Sequence, residues 1–126
     1  MEVKEWQHQV DVFTWAASYA YIDKRVNLLN GSLNGVKLSI GQAVKAKRTG
    51  MKKGYPDISL PVACGGYHGL FIELKRKYSG VVGKEQKLWL KALNDEGYKA
   101  EVCRGADEAI DLIINYLKQS PTKEIE

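Results

Sequence analysis

The stretch Gly54-Tyr55-Pro56-Asp57-Ile58-Ser59-Leu60-Pro61-Val62, followed by Leu70-Phe71-Ile72-Glu73-Leu74-Lys75, decides how this chain is read. Residues 57–62 alternate polar and apolar positions, Cys64-Gly65-Gly66-Tyr67-His68 supplies a turn, and residues 70–75 form a second strand, so a hairpin is predicted. Side chains alternate across a strand, so Leu70, Ile72 and Leu74 share one face and Phe71, Glu73 and Lys75 the other. A carboxylate and an ammonium thus leave an apolar strand on one side, which is costly unless they are paired or bind a metal. Asp57 opens the neighbouring strand, and the hairpin brings it beside Glu73. Two convergent carboxylates make a hard-oxygen site suited to Mg²⁺. Lys75 beside them can hold and polarise a water, which completes the equipment for metal-assisted phosphodiester hydrolysis. The bland alternative is a strand-face ion pair, worth little when exposed. Glu-x-Lys occurs three times in the chain, but Glu2–Lys4 is terminal and Glu85–Lys87 lies in a helical pattern, where i and i+2 do not share a face.

Before the hairpin, a helix is predicted over residues 3–25, with Trp6, Val10, Phe13, Ala17 and Ala20 as its apolar stripe and Glu5 and Gln9 together on another. The Asn- and Gly-rich residues 26–36 read as short strand and turn pieces, and residues 38–49 as a short basic helix ending at Gly50. After the hairpin comes a helix of about residues 83–96, with Leu88, Leu90 and Leu93 as apolar candidates and Asn94-Asp95-Glu96-Gly97 as its stop. A third strand, 98–103, and a last helix, 106–118, with Ala109, Ile110, Ile113, Ile114 and Leu117 inward, complete a small α/β domain with a mixed sheet. The chain of 126 residues is read as one domain over 1–118, with 119–126 a frayed tail.

Charge adds a partner. Residues 1–63 carry nine cations and five anions, residues 64–126 ten of each, so the whole excess of +4 lies in the first half. From Lys37 to Pro56 there are six cations, Lys37, Lys45, Lys47, Arg48, Lys52 and Lys53, and no anion, which suggests a polyanion partner. No apolar run approaches the ~20 residues that span a bilayer. Two cysteines exclude a disulfide scaffold or a four-cysteine zinc site. His8 and His68 are too few and scattered for an HNH or zinc centre, and no P-loop motif occurs.

The set Gly54-Tyr55-Pro56-Asp57-Ile58-Ser59-Leu60, Leu70-Phe71-Ile72-Glu73-Leu74-Lys75 and Gly83-Lys84-Glu85-Gln86-Lys87-Leu88-Trp89-Leu90 resembles the VRR-NUC nucleases, a branch of the PD-(D/E)xK superfamily. The resemblance implies a restriction-endonuclease-like α/β fold, a small mixed sheet flanked by helices. It implies that Asp57 and Glu73 bind a divalent metal, Mg²⁺ or Mn²⁺, that Lys75 assists the attacking water, and that Gln86 completes the signature. It also implies a carboxylate on the first helix, here Glu5, with Gln9 as the rival. Lys52 and Lys53, between flexible glycines, are expected to follow a phosphate backbone, with Lys45, Lys47, Arg48, Lys77 and Lys84 extending that surface. Tyr55 either stacks on a base or packs under its loop. Small members of the family resemble phage-borne nucleases, some acting on four-way junctions. The expectation is therefore a structure-selective DNA endonuclease acting on branched DNA, a homodimer, in the cytoplasm of a bacterial host if phage-encoded. The alternatives are a catalytically silent nuclease-fold binding module and a flap or single-strand nicking nuclease.

Overall fold

The computed structural model describes residues 1–123. Its elements run α1 (Glu5–Tyr19), a 3₁₀ helix (Lys24–Leu28), β1 (Asn30–Gly31), α2 (Ile40–Arg48), β2 (Ile58–Leu60), β3 (Leu70–Lys75), α3 (Lys84–Asp95), β4 (Lys99–Arg104) and α4 (Ala106–Leu117). The four strands lie in the order β1-β2-β3-β4. β2 pairs antiparallel with β1 and β3, the expected hairpin, and β4 pairs parallel with β3. A parallel pair needs a crossover, and α3 supplies it. Gly97, at φ +89°, stops α3: its N–H donates to the Asn94 carbonyl and the Tyr98 N–H to that of Leu93. That paired closure around a left-handed glycine turns the chain straight into β4.

β3 is the strand on which everything else is arranged. Leu70, Ile72 and Leu74 join Val12 and Ala16 of α1 and Ala109, Ile113 and Leu117 of α4 in one buried cluster. On the opposite side Phe71 meets the edges of Tyr55 and Tyr98, and Tyr55 in turn meets Trp89 of α3. Charged residues at positions 73 and 75 therefore lie between two packed layers, and both are buried.

Several expectations need correction. α1 stops at Tyr19 rather than 25, because Asp23 starts a new element: its carboxylate accepts the Arg25 N–H at 3.1 Å and caps the 3₁₀ helix. Arg25 also donates to the Leu117 carbonyl at 2.9 Å, a tertiary tie to α4 that helical spacing does not announce. The face α1 buries is His8, Val12 and Ala16, one turn apart, while Trp6 stays 52% exposed. The predicted stripe is instead an open groove: Trp6, Val10, Phe13 and Ala17 line about 770 Å³ with Gly31, Gly35 and Val36. Leu88 is exposed on α3. The chain beyond Gln119 is tied rather than frayed as far as Thr122, where Cys64 bridges to Pro121 and the Thr122 N–H and hydroxyl reach the Ala63 and Tyr67 carbonyls. Residues 124–126 of the expected tail lie outside the described residues.

Candidate active site

The hairpin register pairs Ile58 with Ile72, so one step outward sets Asp57 opposite Glu73. Asp57 is fixed from three directions. Its Oδ2 accepts the Leu74 N–H at 2.7 Å, its carbonyl accepts the Ser32 N–H at 2.7 Å, and the Gln9 amide approaches the same carbonyl at 3.5 Å. The first turn of α1 brings in Glu5. Carboxylate oxygens of Glu5, Asp57 and Glu73 all lie within 4.8 Å of one another. Lys75 Nζ stands 4.0 Å from Glu5 Oε2. Gln86 closes the group from the start of α3: its Nε2 donates to Glu73 Oε2 at 3.2 Å while its Oε1 accepts the Gly83 N–H at 2.7 Å.

Such crowding has an electrostatic consequence. Glu73 is 1% exposed. Burial and the Asp57 carboxylate beside it push its pKa up to about 9. Burial, opposed by Lys75, also raises the Glu5 carboxyl. Acids held against ionisation by desolvation and by one another are relieved by a bound cation. Three hard oxygen donors with no sulfur or imidazole among them suit Mg²⁺ or Mn²⁺ rather than a soft metal. The donor set therefore fits a divalent metal, with Glu5, Asp57 and Glu73 the residues that could hold it.

A cleft of about 410 Å³ opens onto this cluster, walled by Glu5, Asn34, Lys53, Gly54, Asp57, Val81, Gly83, Glu85 and Gln86. Lys53 lies 3.7 Å from Glu85 at its rim. Gly54, at φ +84°, packs so tightly on the start of α3 that a Cβ would stand 2.7 Å from Glu85 backbone. Of the other expected phosphate-binding residues, Lys45 and Arg48 border a separate shallow depression on α2, and Lys77 faces the start of α4. Lys47, Lys52 and Lys84 are exposed but do not line the cleft. Tyr55 is packed between Phe71 and Trp89, the second of its two expected roles. Gln9, the rival to Glu5, spends its amide on the Ser32 and Asp57 carbonyls. Asn34, in sequence only a turn residue, does more in the fold. Its amide donates to the Lys52 and Tyr55 carbonyls at 3.2 and 2.9 Å, tying the basic loop to the cleft wall, and no local pattern signals such a long-range tie. His8, which the sequence excludes as a metal ligand, accepts the Ala106 N–H at 3.1 Å and so joins α1 to the start of α4.

A mixed sheet whose hairpin sets an Asp across from Glu-x-Lys, with a Gln on the following helix, defines the PD-(D/E)xK class of nucleases. The family model described as the VRR-NUC domain matches residues 2–107. A solved structure titled "VRR_NUC domain protein" is similar at 31% identity and a TM-score of 0.80, over 96% of this chain and 93% of that one. A comparison with curated proteins finds no match. The chain belongs to the VRR-NUC domain family, a nuclease family of that class. Among the described residues, no helix is long and apolar enough to cross a membrane.

Proposed function

We propose that this protein is a Mg²⁺- or Mn²⁺-dependent DNA endonuclease selective for branched structures, four-way junctions first among them, and that it works as a homodimer. The observation that carries the chemistry is the convergence of Glu5, Asp57 and Glu73 within 4.8 Å, beside Lys75. A divalent ion held there supplies Lewis-acid stabilisation of the phosphate charge. Lys75, buried and facing Glu5, holds the attacking water by donating a hydrogen bond to it. Gln86 locks the Glu73 carboxylate against rotation. The water oxygen bonds to phosphorus as the ester P–O bond breaks. One water proton passes to solvent, and the leaving oxygen takes a proton from solvent.

Among the described residues one chain carries one such cluster, whereas symmetric cutting of a junction needs two, and an isologous pair is the economical source. The groove on α1 supports this reading, because Trp6, Val10 and Phe13 leave an apolar surface that a second copy can cover. The flap-nicking alternative is the form that a monomer leaves standing. A cleavage panel of four-way junction, flap, duplex and single strand tests the substrate choice: preferential paired cuts in the junction support it, and equal cutting of plain duplex overturns it.

A further inference from the structure

The loop from Arg76 to Gly83 leaves β3 at the candidate active site and is anchored on both sides. Arg104 Nη1 donates to the Arg76 and Ser79 carbonyls at 3.1 and 2.9 Å, and Nη2 to the Gly80 carbonyl at 3.0 Å. The Glu2 carboxylate accepts the Tyr78 N–H at 2.6 Å and also the Ser79 hydroxyl. Gly80, at φ +90°, turns the loop back so that a Cβ there would lie 3.8 Å from Lys75 Cδ. Yet this pinned loop displays an aromatic and an apolar side chain to water: Tyr78 is 82% and Val81 83% exposed. Val81 is part of the wall of the carboxylate cleft. In sequence Arg76, Lys77 and Lys84 flank them with no acid between Glu73 and Glu85, and Lys77 Nζ stands 5.7 Å from the Tyr78 ring centre.

We infer that Tyr78 is a stacking platform for an unpaired nucleobase of the DNA strand whose phosphate enters the cleft, with Val81 as its apolar neighbour. A single exposed tyrosine needs no explanation by itself. One carried by a loop whose backbone and Ser79 five hydrogen bonds anchor, three residues before Val81 on the cleft wall and with Lys77 beside its ring, offers a base the two things that bind single strands: an aromatic face on an ordered backbone, and charge for a flanking phosphate. Every base has a π-face, so such stacking reads an open strand rather than a sequence. It deepens the nuclease reading, on which it rests, by giving that site a reason to prefer branched DNA in which a base at the branch is opened or left unpaired over plain duplex.

The test compares wild type, Tyr78→Ala and Tyr78→Phe on a gapped branch carrying 2-aminopurine at the unpaired nucleotide and on a fully paired duplex, with Ca²⁺ for binding and Mg²⁺ for cleavage. Binding by wild type and Tyr78→Phe should change the 2-aminopurine fluorescence. Tyr78→Ala should lose that signal and about tenfold in affinity for the branch, with duplex affinity unchanged. Equal losses on both DNAs, or a Phe variant as weak as the Ala variant, would overturn the platform. The two readings separate cleanly. If wild type cuts and Tyr78→Ala binds and cuts the branch as well as wild type does, the platform is wrong and the nuclease stands. If no metal supports cutting while the Tyr78-dependent fluorescence persists, the platform stands and the nuclease reading falls.

Discussion

Glu73 sits between Ile72 and Leu74 in its strand, its carboxyl held up at about 9 by burial and by Asp57 across the hairpin against the opposing pull of Lys75. In the metal-free protein the folded state therefore keeps a proton that the unfolded chain releases near the ordinary value of 4.5. The folded state binds more protons between those limits, so stability falls as pH rises through them. Thermal unfolding in EDTA should show Tm declining from pH 5 to pH 9, and Glu73→Gln, which cannot ionise, should flatten the decline while abolishing cleavage. A wild-type Tm that rises with pH over this range would refute the buried, protonated Glu73. Gln86→Ala should lose the cap on the Gly83 N–H, about 1 kcal/mol of stability by denaturant titration, and cut more slowly because Glu73 is no longer held. For single residues the sequence is informative where chemistry and period coincide. A charge in an apolar strand after Pro-Asp is visible in one dimension, so Asp57, Glu73 and Lys75 can be picked out. Glu5 and Gln9 share a helix stripe, and only the tilt of α1 decides that the carboxylate reaches the cluster while the amide turns to the backbone of Ser32 and Asp57.

The loop 50–56 and the start of α3 act together as elements. Gly54 fits against Glu85 and Gln86 only because it has no Cβ and takes φ +84°. Gly54→Ala should cost more than about 1 kcal/mol of stability, since it disturbs both the backbone conformation and the packing on α3. It should also slow cleavage by displacing Gln86 from Glu73, and a variant that matches wild type in both assays would show that this close approach is dispensable. Replacing Lys52 and Lys53 by Ala should flatten the log–log salt dependence of duplex binding by about 0.9 for each phosphate that is no longer neutralised, measured by titration over a range of salt. Lys53, on the cleft rim, should carry more of this than Lys52, which does not line the cleft. Elements with their own stop signals are readable from the sequence: the hairpin, α2 with Gly50 behind it, and α3 with Gly97 behind it. α1 is readable as a helix but not in its facing. Its large apolar residues suggest one stripe, whereas the fold buries the smaller Val12 and Ala16 beside His8, where close approach to the sheet and α4 matters more than side-chain size.

At the scale of the molecule, the groove that α1 presents is larger than the carboxylate cleft, about 770 against 410 Å³, yet among the described residues no acid lines it. Its apolar lining suits association rather than chemistry. Trp6→Glu should therefore convert a dimer to a monomer in sedimentation at micromolar concentration and remove paired cutting of a junction. A wild type that is monomeric both alone and on a junction would leave only nicking. Everything else depends on whether the three-carboxylate cluster turns over phosphodiesters with a divalent metal. Cleavage of a labelled four-way junction by wild type and Asp57→Asn side by side, in Mg²⁺, Mn²⁺ and EDTA, decides it. Wild type should give products with either metal and none in EDTA, and Asp57→Asn should give none under any condition. Undiminished cleavage in EDTA, or by Asp57→Asn, would show that the cluster is not the catalytic centre.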